Sequence, residues 1–148
     1  MTIIETLNFI ALGFSFLISL ISFSFPGNLK NPTIYNRLLI AGLISFAFCC
    51  LLLISDKILI KKEFLIIPAS FPLMYLVNFK LLRLVFMKRK GEEPSITSAS
   101  SKIGNRPAND LWFKYSNGKK ILFEDYLFSF AQAIIPIGLT VGLAILLS

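Results

Sequence analysis

The chain has 148 residues, is 55% hydrophobic and only 16% charged, and carries a net charge of +7 with no histidine and two cysteines. Soluble domains carry about a quarter of their residues as charges, so this composition speaks against a soluble fold, and the missing histidine removes the commonest general base and metal ligand. The basic residues lie beside apolar runs, a pattern of membrane orientation and not of a nucleic-acid-binding face, so no nucleic acid, cofactor or metal partner is expected.

Four apolar runs approach the ~20 residues that cross a bilayer. They predict an all-α integral membrane protein of one domain, residues 1–148, with four transmembrane helices at about 4–25, 38–55, 64–79 and 126–147. The first run has Glu5 as its only early charge, no basic region before it and no A-x-A-type site after it, so it reads as a retained helix and not a cleaved signal. Pro26-Gly27 stops it. Ala11, Ser15 and Ser19 recur every four residues, which stacks small side chains on one face and lets another helix approach. The alternative is that the serines bond back to their own helix.

The second run repeats the spacing with Ala41, Ser45 and Cys49, so the first two helices are expected to pair as an antiparallel hairpin. Cys49 and Cys50 are adjacent in a helix and point apart, which excludes an ordinary disulfide between them. The third run is short and holds Pro68 and Pro72, each of which removes a helical hydrogen bond, so a bend is expected.

Residues 80–125 hold ten of the 15 Lys and Arg residues. Lys80, Arg83, Lys88, Arg89 and Lys90 read as a basic amphipathic continuation of the third helix, lying at the membrane surface with the cations in the headgroups. From Gly91 to Asn109 the composition turns to Gly, Ser, Pro, Thr and Ala, which predicts a flexible linker. Asn117-Gly118 then separates two β-prone runs, 111–116 and 119–124. That is the strongest short-range signal for a β-hairpin, and its register would pair Phe113 with Leu122 and Trp112 with Phe123. An isolated hairpin needs a covering surface. Trp112, Phe113, Tyr115, Asn117, Gly118, Ile121 and Phe123 are therefore the candidate residues for docking a soluble partner.

The fourth run begins after Glu124 and Asp125, whose charges suit a helix N-terminus. Pro136 predicts a bend, Gln132 should seek an interhelical partner, and Gly138 and Gly142 form a G-x-x-x-G that permits close helix contact.

The positive-inside rule sets the orientation. Loops 26–37 and 80–125 share one side and carry Lys30, Arg37 and the ten cations, against Lys57, Lys61 and Lys62 on the other. This places those two loops in the cytosol and both termini outside, in a multi-pass protein of the cell inner membrane. No span holds the deep ionisable residue of an ion-coupled carrier, nor a nucleophile with a base, so no enzyme activity is expected. The leading function is a small membrane subunit that forms a homo-oligomer in the lipid bilayer and docks a soluble cytosolic protein, or senses membrane perturbation. In architecture it looks like the small four-span proteins encoded beside a cytosolic effector in Kiwa-type anti-phage systems, and the resemblance implies a role in antiviral defence. The alternatives are a bacteriocin immunity protein and a pore-forming effector lined by Asn78 or Gln132.

Overall fold

The computed structural model describes residues 3–54, 62–96 and 120–147. The described residues form α1 (Ile3–Ser24), a 3-10 helix (Pro26–Lys30), α2 (Pro32–Ile54), α3 (Lys62–Lys90) and α4 (Phe123–Leu147), with no strand among them. All four α-helices are long and apolar enough to cross a membrane.

Helix boundaries follow local chemistry more closely than hydropathy. α2 starts at Pro32, six residues before the apolar run. Asn31 caps it, its Oδ1 accepting the Thr33 N–H at 2.9 Å, and proline at the first helical position already lacks the donor a helix start leaves unpaired. Arg37 thus lies in the second turn of α2 and not ahead of it. α3 passes through Pro68 and Pro72 without interruption and continues beyond Phe79 to Lys90. Its 29 residues make a rod about 43 Å long at 1.5 Å per residue, against a hydrocarbon core of about 30 Å. Gly91 ends it at φ 69°, a left-handed conformation that glycine adopts without steric cost, and its N–H donates to the Met87 carbonyl at 2.8 Å.

The helices run alternately up and down. Ser15 meets Ser45 between α1 and α2, Tyr35 meets Leu76 between α2 and α3, and Lys90 meets Glu124 between α3 and α4. α3 occupies the centre and packs against the other three, whereas α4 makes its extensive contact with α3 alone. The 3-10 turn, the C-terminal end of α3 and the start of α4 consequently share one end of the bundle, as an Arg83 Nη1 donation to the Lys30 carbonyl at 3.5 Å also shows.

Two apolar clusters hold the bundle. One is built from small and aliphatic residues, Ala11, Cys49, Leu52, Leu65 and Ala69, where α1, α2 and α3 lie close. The other is largely aromatic, with Tyr35, Tyr75, Phe79, Phe86 and Phe128 joined by Leu29, Leu76 and Ile96. Phe128 stands edge-on to both Phe79 and Phe86, with ring centroids 6.0 and 5.9 Å away, a preferred aromatic geometry.

Candidate functional site

Among the described residues, the end shared by the 3-10 turn, α3 and α4 gathers many of the charged and polar groups. Arg83 projects from α3 and is gripped by Glu93, which folds back from the segment after the helix. Nε donates to Oε1 at 3.1 Å and to Oε2 at 2.9 Å, with a further short contact from Nη2 to Oε1. Lys80 lies one turn earlier, its Nζ 5.7 Å from the centre of the Tyr35 ring, close enough for cation–π attraction. Pro32, Tyr35, Asn36, Phe79, Lys80 and Arg83 surround a small cavity of about 130 Å³ there.

Beside this pair lies a clasp made by one carboxylate. Asp125, in the first turn of α4, is 0% exposed. Its Oδ2 accepts the Leu122 N–H at 2.8 Å and its Oδ1 accepts the Ser95 N–H at 2.7 Å. The first bond caps α4. The second ties in a residue far away in sequence. Both bonds are charge-assisted, and the one to Ser95 takes up a backbone donor that burial would otherwise leave unmatched. Pro94, Ser95 and Ile96 on one side and Ile121 on the other are buried against the bundle. The segment expected from Gly91 as a flexible linker has no helix or strand in its described part, 91–96, but Ile96 packs in the aromatic cluster and Glu93 and Ser95 bond to Arg83 and Asp125; residues 97–109 lie outside the described residues.

Of the expected packing residues, Ala11, Ser15 and Ser45 are buried between α1 and α2. Ser15 and Ser45 share a hydroxyl–hydroxyl bond of 2.6 Å, and Ser15 also donates to the Ala11 carbonyl at 2.9 Å. Both readings of these serines thus hold at Ser15. Ser19 is half-buried, and the bond it donates, at 2.8 Å, is to the Ser15 carbonyl of its own helix. Ala41 is half-buried, while its neighbour Gly42 takes the close approach. A Cβ on Gly42 would come 3.0 Å from Leu73 Cδ2. Gly138 and Gly142 make no such approach, since a Cβ on either would meet nothing within 4 Å among the described residues. Cys49 is buried, Cys50 is half-buried, and both are free thiols.

Lys88, Arg89 and Lys90 are exposed at the end of α3, and Lys90 pairs with Glu124 at 2.5 Å. Trp112, Phe113, Tyr115, Asn117 and Gly118 lie outside the described residues. Residues 120–122 form no strand and Phe123 and Glu124 fall in the first turn of α4, so none of the described residues of the expected second run, 119–124, is in a strand. Ile121 is 1% exposed and unavailable to a partner, whereas Phe123 is 61% exposed.

Deeper in the bundle, α4 is tied to α3 by polar groups. Gln132 Nε2 donates to the Tyr75 hydroxyl at 2.7 Å, the interhelical partner its burial requires. Pro136 carries no N–H for the Gln132 carbonyl, and Asn78 Nδ2 approaches that carbonyl at 3.5 Å and the Ala131 carbonyl at 3.4 Å. Sequence reading named Gln132 and Asn78, but not the clasp. Asp125 read as a helix-dipole charge, and nothing local pointed from it to Ser95.

No protein-family model matches the sequence, no curated protein matches it, and no solved structure matches the fold.

Proposed function

We propose that the chain is a non-catalytic membrane subunit of the cell inner membrane. Its four-helix bundle forms a homo-oligomer and presents the stretch between Ile96 and Ile121 to a soluble cytosolic protein, with both termini on the far side of the membrane. The observation that carries this reading is the Asp125 clasp. A passive connection between two spans needs no anchoring at its ends, yet here one buried carboxylate draws Ser95 and Leu122 together at the base of a stretch that contains Trp112, Phe113 and Tyr115. Fixing the two ends of a connection in advance lowers the ordering cost of docking to it. The unfilled Gly138–Gly142 face of α4 supports oligomerisation, because small residues allow helices to approach closely in lipid. A role in antiviral defence accords with this architecture and is part of the same proposal.

The test is native mass spectrometry of C-terminally tagged protein extracted from its host in mild detergent. The expected particle is a defined homo-oligomer with a soluble companion, and Asp125→Asn should release the companion while leaving the oligomer intact. A bare monomer would overturn the proposal and favour an immunity protein that meets toxin helices within the bilayer.

A further inference from the structure

Between α3 and α4, at the end where the cations gather, lies an apolar groove of about 270 Å³. Its floor is Phe86 and Phe128, both buried, and its lips are Val85 and Leu127, each about half exposed at 51% and 53%. Leu82 and Ala131 close it toward the middle of the bundle, and Arg89, Lys90 and Glu124 stand at the opposite mouth. The groove therefore has a polarity along the helix axis. Its apolar end points into the membrane-spanning part of the bundle, and its charged end points to the tip of α3. From Leu82 to Lys90 it follows α3 for about 12 Å at 1.5 Å per residue.

We infer that this groove holds an acyl chain of an anionic phospholipid, with the lipid phosphate at Arg89. The charges at the mouth select the headgroup. Lys90 is neutralised by Glu124, whereas Arg89, the other cation at the mouth, is exposed and forms no ion pair among the described residues. The mouth thus keeps a net positive charge, and guanidinium is suited to bidentate contact with phosphate. Arg83 plays no part, because Glu93 holds it on the α2 side. Basic pockets between spanning helices commonly take anionic headgroups on the cytosolic leaflet. A peptide helix is the weaker occupant, since a groove of this length buries little more than two of its turns. The inference requires the chain to span a bilayer. It does not require a soluble partner.

The experiment uses the full-length protein, delipidated in detergent and titrated with phosphatidylglycerol or phosphatidylcholine, and bound lipid is counted by native mass spectrometry. Phosphatidylglycerol should be retained about tenfold more tightly, and Arg89→Gln should lower its affinity about fivefold, as expected for one basic residue near an anionic headgroup. Ala131→Phe fills the groove without touching the cations, and Val85→Trp blocks its lip in case the first variant folds poorly. Either should abolish the tightly held lipid while thermal melting of the helices stays near that of the parent. Equal retention of the two lipids overturns the inference. So does a lipid preference that survives both groove-filling variants, which would mean that surface charge alone attracts the headgroup. Failure of the chain to float with phosphatidylglycerol vesicles overturns it as well, together with the membrane reading on which it rests.

Discussion

α3 and α4 are neighbours of similar length, but they occupy opposite situations. α3 is enclosed by α1, α2 and α4, and it carries the larger buried share; α4 rests on α3 along one side and exposes the rest of its surface. The enclosed helix is also the one richest in polar and charged side chains, with Tyr75, Asn78, Lys80 and Arg83 in sequence. The difference teaches that in a membrane bundle the centre is where polar groups can be tolerated, because neighbours supply partners that lipid cannot. Apolarity marks which segments are suited to cross a membrane. It does not mark which of them lies in the middle.

If α4 is held mainly at one end and by a few polar ties, its strongest dependence should be on the clasp. Asp125→Ala leaves the buried Ser95 N–H without its acceptor and removes the cap on the Leu122 N–H, and it should cost about 3 kcal/mol, since each bond to a charged group contributes about 1.5–3 kcal/mol. The measurement is hydrogen exchange at those two amides together with proteolysis between Gly91 and Leu122. Protection equal to the parent's would show that the clasp holds nothing.

Glycine substitutions separate the two helices' surroundings directly. Gly42→Leu drives a side chain into Leu73 of the enclosed helix and should lower bundle stability by about 1–3 kcal/mol, the usual range for overpacking. Gly138→Leu on the open face of α4 should leave the stability of the single bundle within about 0.5 kcal/mol, as surface substitutions generally do, while reducing the mass of the native particle. Equal destabilisation in the two variants would show that α4 is not one-sided.

Smaller effects test the polar ties. A double-mutant cycle of Tyr75→Phe and Gln132→Leu should give a coupling of about 1 kcal/mol, within the range for hydrogen bonds between membrane helices. A cycle of Asn78→Leu and Pro136→Ala should give about 0.5 kcal/mol or less, because the Asn78 contacts of 3.4 and 3.5 Å are longer than ordinary N–H···O bonds. In that cycle Pro136→Ala restores the helical donor to the Gln132 carbonyl, so it should lessen the loss caused by Asn78→Leu. A loss unchanged by the alanine would place the role of Asn78 elsewhere.

Much of this architecture is legible in the chain itself. The four apolar runs become the four long helices, and Ala11, Ser15, Ser45 and Cys49 do join α1 to α2, because four-residue spacing fixes a helix face whatever lies opposite. The start of α2 was also legible in Asn31-Pro32, a cap followed by a residue suited to the first turn, but hydropathy gives no weight to either. Gly42 shows a different limit. A small-residue stripe specifies a face, and which of two adjacent small residues meets the partner depends on the crossing geometry with α3. The roles of Arg83, Glu93, Ser95 and Asp125 depend on pairings between residues distant in sequence, which composition does not encode.

The single carboxylate at the foot of the 96–121 stretch has a consequence for how the protein can change over time. With both ends of that stretch fixed at one point, its interior can lengthen, shorten or be replaced without altering the distance between α3 and α4. The entropic penalty for such change is small, since each doubling of a flexible loop costs only about 0.6 kcal/mol. The contacts at Ser95, Leu122 and Asp125, and not the length of what lies between them, then set how α3 meets α4, so those three positions are the ones such change must keep.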